Sequence, residues 1–345
     1  MLRGQPFSVG FFHSSQMARR INSGLRSVCY DRIVVFSSSM APYVEGVASI
    51  PKVLDLVDVD SDKWRQYADH SSFLLSWLWR REARLMGMYE ARLVRSFSAT
   101  LVCTDAEAQL LRSIAHEGQI GVVQNFVDVD RFDPGLGSVP NGVRRLQPYL
   151  IFSGSMDYRP NIDAALFFYR EVFPLIRRKL PEIRLVIAGR NPDRSVVALG
   201  VDPAVKVTGS VRDMRPYLWG AAAAVVPLRI ARGVQNKILE ALASGIPVVS
   251  TTVAAMALPE EIRCLIAIAD KPEDISACVV RWLEKGPRLT SEHLRATLKN
   301  YFDNLNLHSQ LERILAAAEP RSRESENLRR TPAVGVGNPA EEMNR

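Results

Sequence analysis

The stretch of the chain best suited to chemistry runs Pro227-Leu-Arg-Ile-Ala-Arg-Gly-Val-Gln-Asn-Lys-Ile-Leu-Glu-Ala-Leu-Ala-Ser-Gly-Ile-Pro-Val-Val249. It reads as a strand end, a basic loop holding Gly233, the start of a helix at Asn236, and then the next strand. A helix N-terminus presents unbonded N–H groups and the positive end of a dipole, so it suits phosphate. Lys237 in the first turn opposes that dipole, a penalty that a bound diphosphate would reverse. Glu240, three residues on, lies on nearly the same helical face, and its carboxylate can accept both hydrogen bonds of a ribose diol. Arg229, Arg232 and Lys237 put three cations within nine positions. Such a cluster suits an anionic partner, and arginine favours bidentate phosphate contact. The plainer alternative is a solvated Lys–Glu helix surface. The segment alone leaves both open.

Short apolar runs position this segment. Tyr149–Phe152, Arg184–Ala188, Val205–Thr208, Ala223–Pro227, Pro247–Ser250 and Leu265–Ala267 read as strands. Helical patterns over Ile162–Lys179, Gln235–Ala243 and Pro272–Glu284 alternate with them. Nearly continuous apolar strands between helices indicate a parallel sheet covered on both faces, with ligands at the carboxyl ends of the strands. Two of those ends carry further candidates. Gly154, followed by Ser155 and Asn161, allows close backbone approach to a phosphate or is a plain tight turn. Gly189 and Arg190 end the second strand, where an exposed arginine is the alternative.

The first half repeats the rhythm less completely. Ile33–Phe36, Val53–Val57, Thr100–Cys103 and Ile120–Gln124 read as strands, and Phe73–Phe97 and Ala106–Ile114 as helices. Asp58, Asp60, Ser61 and Lys63 follow the second strand, where carboxylates point into a cleft. Asp60 suits a general base on a hydroxyl, while Ser61 or Asp60 would equally cap a helix. Ser38 lies in another strand-end loop on the same side. Asp128–Asn141 reads as a linker.

The 345 residues give roughly two domains at about 150 each, and we place them at 1–146 and 147–318, with 319–345 as a charged, disordered tail. A 47% hydrophobic content excludes a disordered or disulfide-stapled chain. A net charge of +7 favours anionic partners. The positive charges show no nucleic-acid motif, and no GxGxxG turn supports a nicotinamide oxidoreductase. Cys29, Cys103, Cys264 and Cys278 have no metal spacing, and Met1–Gly10 has no leader pattern. A cytoplasmic protein is expected. The segment Trp77–Tyr89 mixes aromatic, apolar and basic residues. It suits peripheral contact with an anionic inner-membrane surface or a core helix with a solvated arginine face.

At the level of motifs, Asn236–Val249 resembles the nucleotide-sugar signature of retaining family-four glycosyltransferases, which have the GT-B fold. Asp55–Trp64, Phe36–Tyr43, Gly154–Asn161 and Ala231–Lys237 resemble the subgroup of sugar transferases associated with exosortase (PEP-CTERM) and exopolysaccharide loci, and the likeness runs from about Pro6 to Ala318. The resemblance implies two Rossmann-like α/β domains. The carboxyl-terminal one holds a nucleotide-sugar donor, and the amino-terminal one a saccharide or lipid-linked acceptor. It also implies an amino-terminal domain without its first strand–helix units, which would leave a sheet edge exposed. Glu240 falls on the family's ribose-binding glutamate, whereas the family's other glutamate falls on Arg232. Lys237 and Arg232 would be the electrostatic groups and Asp60 the acceptor-side catalytic candidate. Asn236, Gly154, Ser155, Arg190, Arg229 and Gly233 would contact the donor, with Arg212 and Tyr217 near its base. Asp58, Ser61 and Ser38 would line the acceptor side. No cofactor and no metal are implied, although Asp58-Val-Asp60 spells DxD. The alternative is a catalytically inactive nucleotide-sugar-binding relative.

Overall fold

The computed structural model describes residues 4–69, 71–285, 291–302 and 304–317. The expected tail at 319–345 lies outside the described residues. Among the described residues, ten strands form two wholly parallel sheets. In the first, β1 (Ile33–Phe36), β2 (Lys52–Val57), β3 (Ala99–Val102) and β4 (Ile120–Val122) lie in the order β1-β2-β3-β4. The second comprises β5 (Tyr149–Ser153), β6 (Arg184–Ala188), β7 (Val205–Val207), β8 (Ala223–Val226), β9 (Val248–Ser250) and β10 (Ala267–Ile268). Its order is β10-β9-β8-β5-β6-β7. Each strand named from the sequence is present, with ends moved by one or two residues. These strands are legible because burial on both faces demands unbroken apolar runs. β5, for example, is buried at every position.

The order of the second sheet sets the site. The chain winds outward from β5 to β7, then returns to β8 and winds the other way. A doubly wound sheet opens a crevice at that reversal, above the carboxyl ends of the two strands that flank it. Here these are β5, which ends before Gly154, and β8, which leads into the Leu228–Gln235 loop.

Several elements differ from expectation. The helix expected at 162–179 begins at Arg159 and carries a π-turn at Phe168–Val172. Pro174 follows directly; its missing N–H and its ring exclude regular α-bonding there, and a wider turn relieves the clash. Asp60–Asp69 is a helix, and so is Ser15–Ser27, which the sequence reading did not name. The aromatic segment lies within the helix Phe73–Ser96. Trp79 turns inward to stack on Trp64 at 5.1 Å, while Trp77 stays 67% exposed. β1 lies at its sheet's edge, with Val34 and Phe36 exposed.

The domain boundary needs one correction. The last helix, Asn304–Ala317, was assigned to the carboxyl-terminal domain. Its Leu311, Ile314 and Leu315 instead pack on Val53, Ala99 and Leu101 of the first sheet. The chain therefore crosses between halves twice. The second crossing covers the apolar face that β2 and β3 leave open.

Candidate active site

A cleft of about 880 Å³ lies between the two sheets, above the β5/β8 reversal. Its floor is glycine backbone. A methyl group on Gly189 would lie 1.6 Å from the Gly154 carbonyl oxygen, so the ends of β5 and β6 can meet only without side chains. One on Gly154 would lie 2.7 Å from Asn161 Nδ2 and 3.1 Å from Lys237 Nζ. Lys237 therefore reaches directly over this turn. Its ammonium donates to Asn161 Oδ1 at 2.6 Å and sits 4.8 Å from the centre of the Phe152 ring. Burial drives its pKa down to about 7, against the opposing pull of Glu240. Burial also raises the Glu240 carboxyl above its usual range, and Lys237 counteracts this. The two side chains thus share a low-dielectric crevice one helical turn deep. The helix they ride on, Asn236–Ala243, has no side-chain cap from Gln235, which leaves its first N–H groups free for an anion.

The rim continues on both sides. Ser155 accepts from Arg190 Nε at 3.0 Å and donates to Asp157 at 2.6 Å, so both predicted residues sit together on the cleft wall. Glu240 and Asn236 also line an adjoining cavity of about 330 Å³ that holds Phe126 and Arg212.

The opposite wall comes from the first half and is acidic. Val57 has φ +66°, unusual for a β-branched residue. Asp58 N–H bonds back to the Leu56 carbonyl at 2.8 Å, closing a tight turn that brings Asp58 into the cleft. Asp58 Oδ1 would lie 2.5 Å from a methyl group on Gly233, whose φ of +59° itself favours glycine. The carboxyl of Asp58 bonds to that of Glu107, and both pKa values rise through burial, Glu107 to about 8. Asn125 bridges the halves, donating to Val234 O at 3.2 Å and Asn236 Oδ1 at 3.1 Å.

Residues 147–285 match the family model described as Glycosyl transferases group 1. No curated protein matches the chain. Among solved structures, sucrose-phosphate synthase from Thermosynechococcus elongatus aligns with TM-score 0.66 at 16% identity, covering 88% of this chain and 78% of that one. HepE from Anabaena, solved with UDP, aligns with TM-score 0.63 at 15% identity, covering 91% and 85%. A UDP-forming trehalose-phosphate synthase from Burkholderia xenovorans gives TM-score 0.61 at 11% identity, covering 89% and 79%. The chain has the GT-B fold.

Within that GT-B frame, Lys237, Glu240, Asn236, Gly154, Ser155, Arg190 and Arg232 line one cleft together with Asp58, and Gly233 forms the turn facing Asp58. Other expected site residues lie elsewhere. Arg229, expected at the diphosphate, turns away to pair with Asp163 at 2.9 Å and stack 4.9 Å from the Phe167 ring. Arg232 lines the cleft, but it crosses to an ion pair with the buried Asp62, which Arg65 also engages from its own helix. It is thus a bridge between the halves rather than a free cation. Asp60 does not reach the cleft wall: it starts its helix, accepts from Ser38 Oγ at 2.8 Å and pairs with Lys63. Ser38 is buried beneath it, and Ser61 is buried with its N–H bonded to Glu90 at 3.1 Å. Neither serine lines the acceptor side. Tyr217, expected near the base, is not among the residues lining the cleft or the adjoining cavity, and its backbone carbonyl accepts from Tyr149 at 2.6 Å. The sequence reading missed Glu107, Asp62 and Asn125. For Glu107 a signal existed: Thr104-Asp-Ala-Glu107 spells a capping box, and Thr104 does cap the helix Asp105–Ala115.

Proposed function

We propose that the cleft binds a nucleoside-diphosphate sugar and that the protein transfers the sugar to a saccharide or lipid-linked acceptor in exopolysaccharide assembly. One observation carries this reading: Lys237 Nζ lies over the glycine floor at the β5/β8 reversal, with Glu240 one turn further along the same helix. Diphosphate would meet the ammonium and the free N–H groups together, and the ribose would meet Glu240. Lys237 would stabilise the departing diphosphate, so the reaction needs no metal on this reading. Retention of configuration and the exosortase-associated subgroup rest on the motif resemblance. The test is a thermal-shift series with UDP-, GDP- and TDP-sugars. Stabilisation by at least one is expected, and no stabilisation by any would overturn the proposal. Glu240→Ala should weaken UDP binding by about 1–3 kcal/mol, the scale of losing hydrogen bonds to a charged group. Unchanged affinity in titration calorimetry would remove Glu240 from the ribose.

Lys237 also sets a pH dependence. Its pKa is lowered to about 7 in the free protein, and a bound diphosphate favours the charged form. Below pH 7 the cation is already present and affinity is flat. Above pH 7 binding must take up a proton, so affinity should fall by up to tenfold per pH unit. Calorimetry at pH 8 in buffers of different ionisation heat should read a net uptake of protons. Zero uptake would separate Lys237 from the phosphate.

The engagement of Arg232 by Asp62 favours a second reading, a binding protein without turnover. Donor stabilisation with no hydrolysis or transfer would select it. For localisation we propose a cytoplasmic protein at the inner face of a membrane. No helix among the described residues is long and apolar enough to cross one. Phe73 and Leu74 are 89% and 81% exposed on the helix that also carries the exposed Arg80, Arg81 and Arg84, a pattern suited to anionic headgroups. Co-sedimentation with anionic but not zwitterionic vesicles is expected, and its absence would exclude the contact.

A further inference from the structure

We infer that Glu107 is a positioning residue for the acceptor side: it donates a shared proton to Asp58 and so holds Asp58 in the cleft as the base that receives the acceptor's hydroxyl proton. The inference rests on the donor reading above and deepens it. Three observations carry it. The chain adopts a strained turn at Val57, held by Asp55 Oδ1, which accepts the Val57 N–H at 3.0 Å; the turn delivers Asp58 to the cleft wall opposite Gly233. Glu107 is 2% exposed and touches Asp58, and two carboxylates in contact cannot both ionise. Around Glu107, the Val59 N–H donates to Oε1 at 3.4 Å and Thr104 Oγ to Oε2 at 3.5 Å. Both carboxyl oxygens thus have a long donor contact behind them, which leaves the carboxyl's own proton for Asp58.

The step balances as follows. The bond from the sugar's anomeric carbon to the diphosphate oxygen breaks, and its electron pair leaves with the diphosphate beside Lys237. The acceptor oxygen bonds to the anomeric carbon on the face that the diphosphate vacates, as retention requires, and its proton passes to Asp58, which later returns it to solvent. Glu107 keeps its own proton throughout. The other groups facing the pair are Lys63 and Asp60 from the following helix, Arg232 from the opposite half, Asp55 and Cys103 at the strand ends, and Tyr158 across the cleft. Lys63 and Arg232 hold Asp58 toward the charged form and Asp60 opposes them, so the balance is set locally by Glu107.

The experiment uses the full chain and, as probe, whichever of UDP-, GDP- and TDP-glucose stabilises it most, with transfer to water as the reaction. At saturating donor, kcat should fall as Glu107 ionises near pH 8. E107Q still donates to Asp58 but cannot ionise, so it should keep kcat within about threefold at pH 7 and lose the alkaline fall. D58N should lower kcat about 10²–10³-fold with UDP affinity unchanged. An alkaline fall that persists in E107Q, or full turnover in D58N, would overturn the inference while leaving the donor reading intact. Failure of every donor to bind would sink the donor reading instead. The pair can then still be read from stability. Folded Glu107 keeps a proton that the unfolded chain releases near the ordinary glutamate value of 4.5, so the pair's contribution is present at low pH and lost as pH rises toward about 8. E107Q should flatten that loss in thermal unfolding, and an unaltered slope would refute the shared proton.

Discussion

Replacing Lys237 with alanine should lower donor turnover by about 10²–10³-fold, the cost of removing one preorganised charge from a developing anion, while weakening UDP binding by no more than about tenfold. The asymmetry follows from where the ammonium lies. In the free protein it is bonded to Asn161 and packed over Phe152, half-buried and near its point of half-protonation. A ground-state diphosphate, shared with the free N–H groups at the head of the Asn236–Ala243 helix, gains part of its stabilisation from backbone alone. The leaving diphosphate carries an additional charge, and Lys237 meets it in this low-dielectric crevice, whereas Arg229 and Arg232 are held by Asp163 and Asp62. Interactions stronger in the transition state than in the ground state appear in kcat. Steady-state kinetics beside UDP calorimetry separate the two. An equal loss in turnover and affinity would make Lys237 an anchor, and an unchanged kcat would remove it from the chemistry.

That lysine was legible in the sequence, and so was its place at the head of a helix, because the motif is local. The strand ends were legible for the same reason: β5 and β6 are apolar runs stopped by glycines that a close approach requires. The partners of the site were not. Asn161 lies 76 residues before Lys237. Arg232 looked like a phosphate ligand because its own segment is basic, and nothing local says that Asp62, a residue of the opposite half, is buried and in reach. Asp60 and Ser61 were weighed as base or cap, and the helix they begin decides for packing. Asp58 two residues earlier takes the cleft because Val57 adopts a conformation that its residue type disfavours. Local propensity cannot foresee such a turn. The helix Ser15–Ser27 escaped because its apolar stripe is only Met17, Ile21 and Leu25 and none of its residues is buried.

The glycine floor gives the second large effect. Gly189→Ala should destabilise the carboxyl-terminal half by about 3 kcal/mol, the upper range for forcing extra volume into packed structure, and should abolish measurable UDP binding. The new methyl would lie 1.6 Å from the Gly154 carbonyl oxygen, where the obstacle is backbone rather than a movable side chain. Gly154 N–H bonds to the Ala188 carbonyl at 3.0 Å, and Gly189 N–H to the Gly209 carbonyl at 3.3 Å. The ends of β5, β6 and the strand beyond must therefore separate together. Separation moves Gly154 away from Asn161 and Lys237 and widens the crevice in which a diphosphate would be held. At about 2–4 °C per kcal/mol for a domain of this size, the unfolding midpoint should fall by about 6–12 °C. Gly142→Ala supplies the control, since a methyl group there meets nothing within 4 Å and lies in a short helix at Asn141–Arg144, where alanine is the better helix former. Thermal unfolding and UDP calorimetry of both variants decide the matter. A Gly189→Ala protein with native midpoint and native affinity would mean that the β5 and β6 ends do not meet as described, and that the floor beneath Lys237 has some other construction.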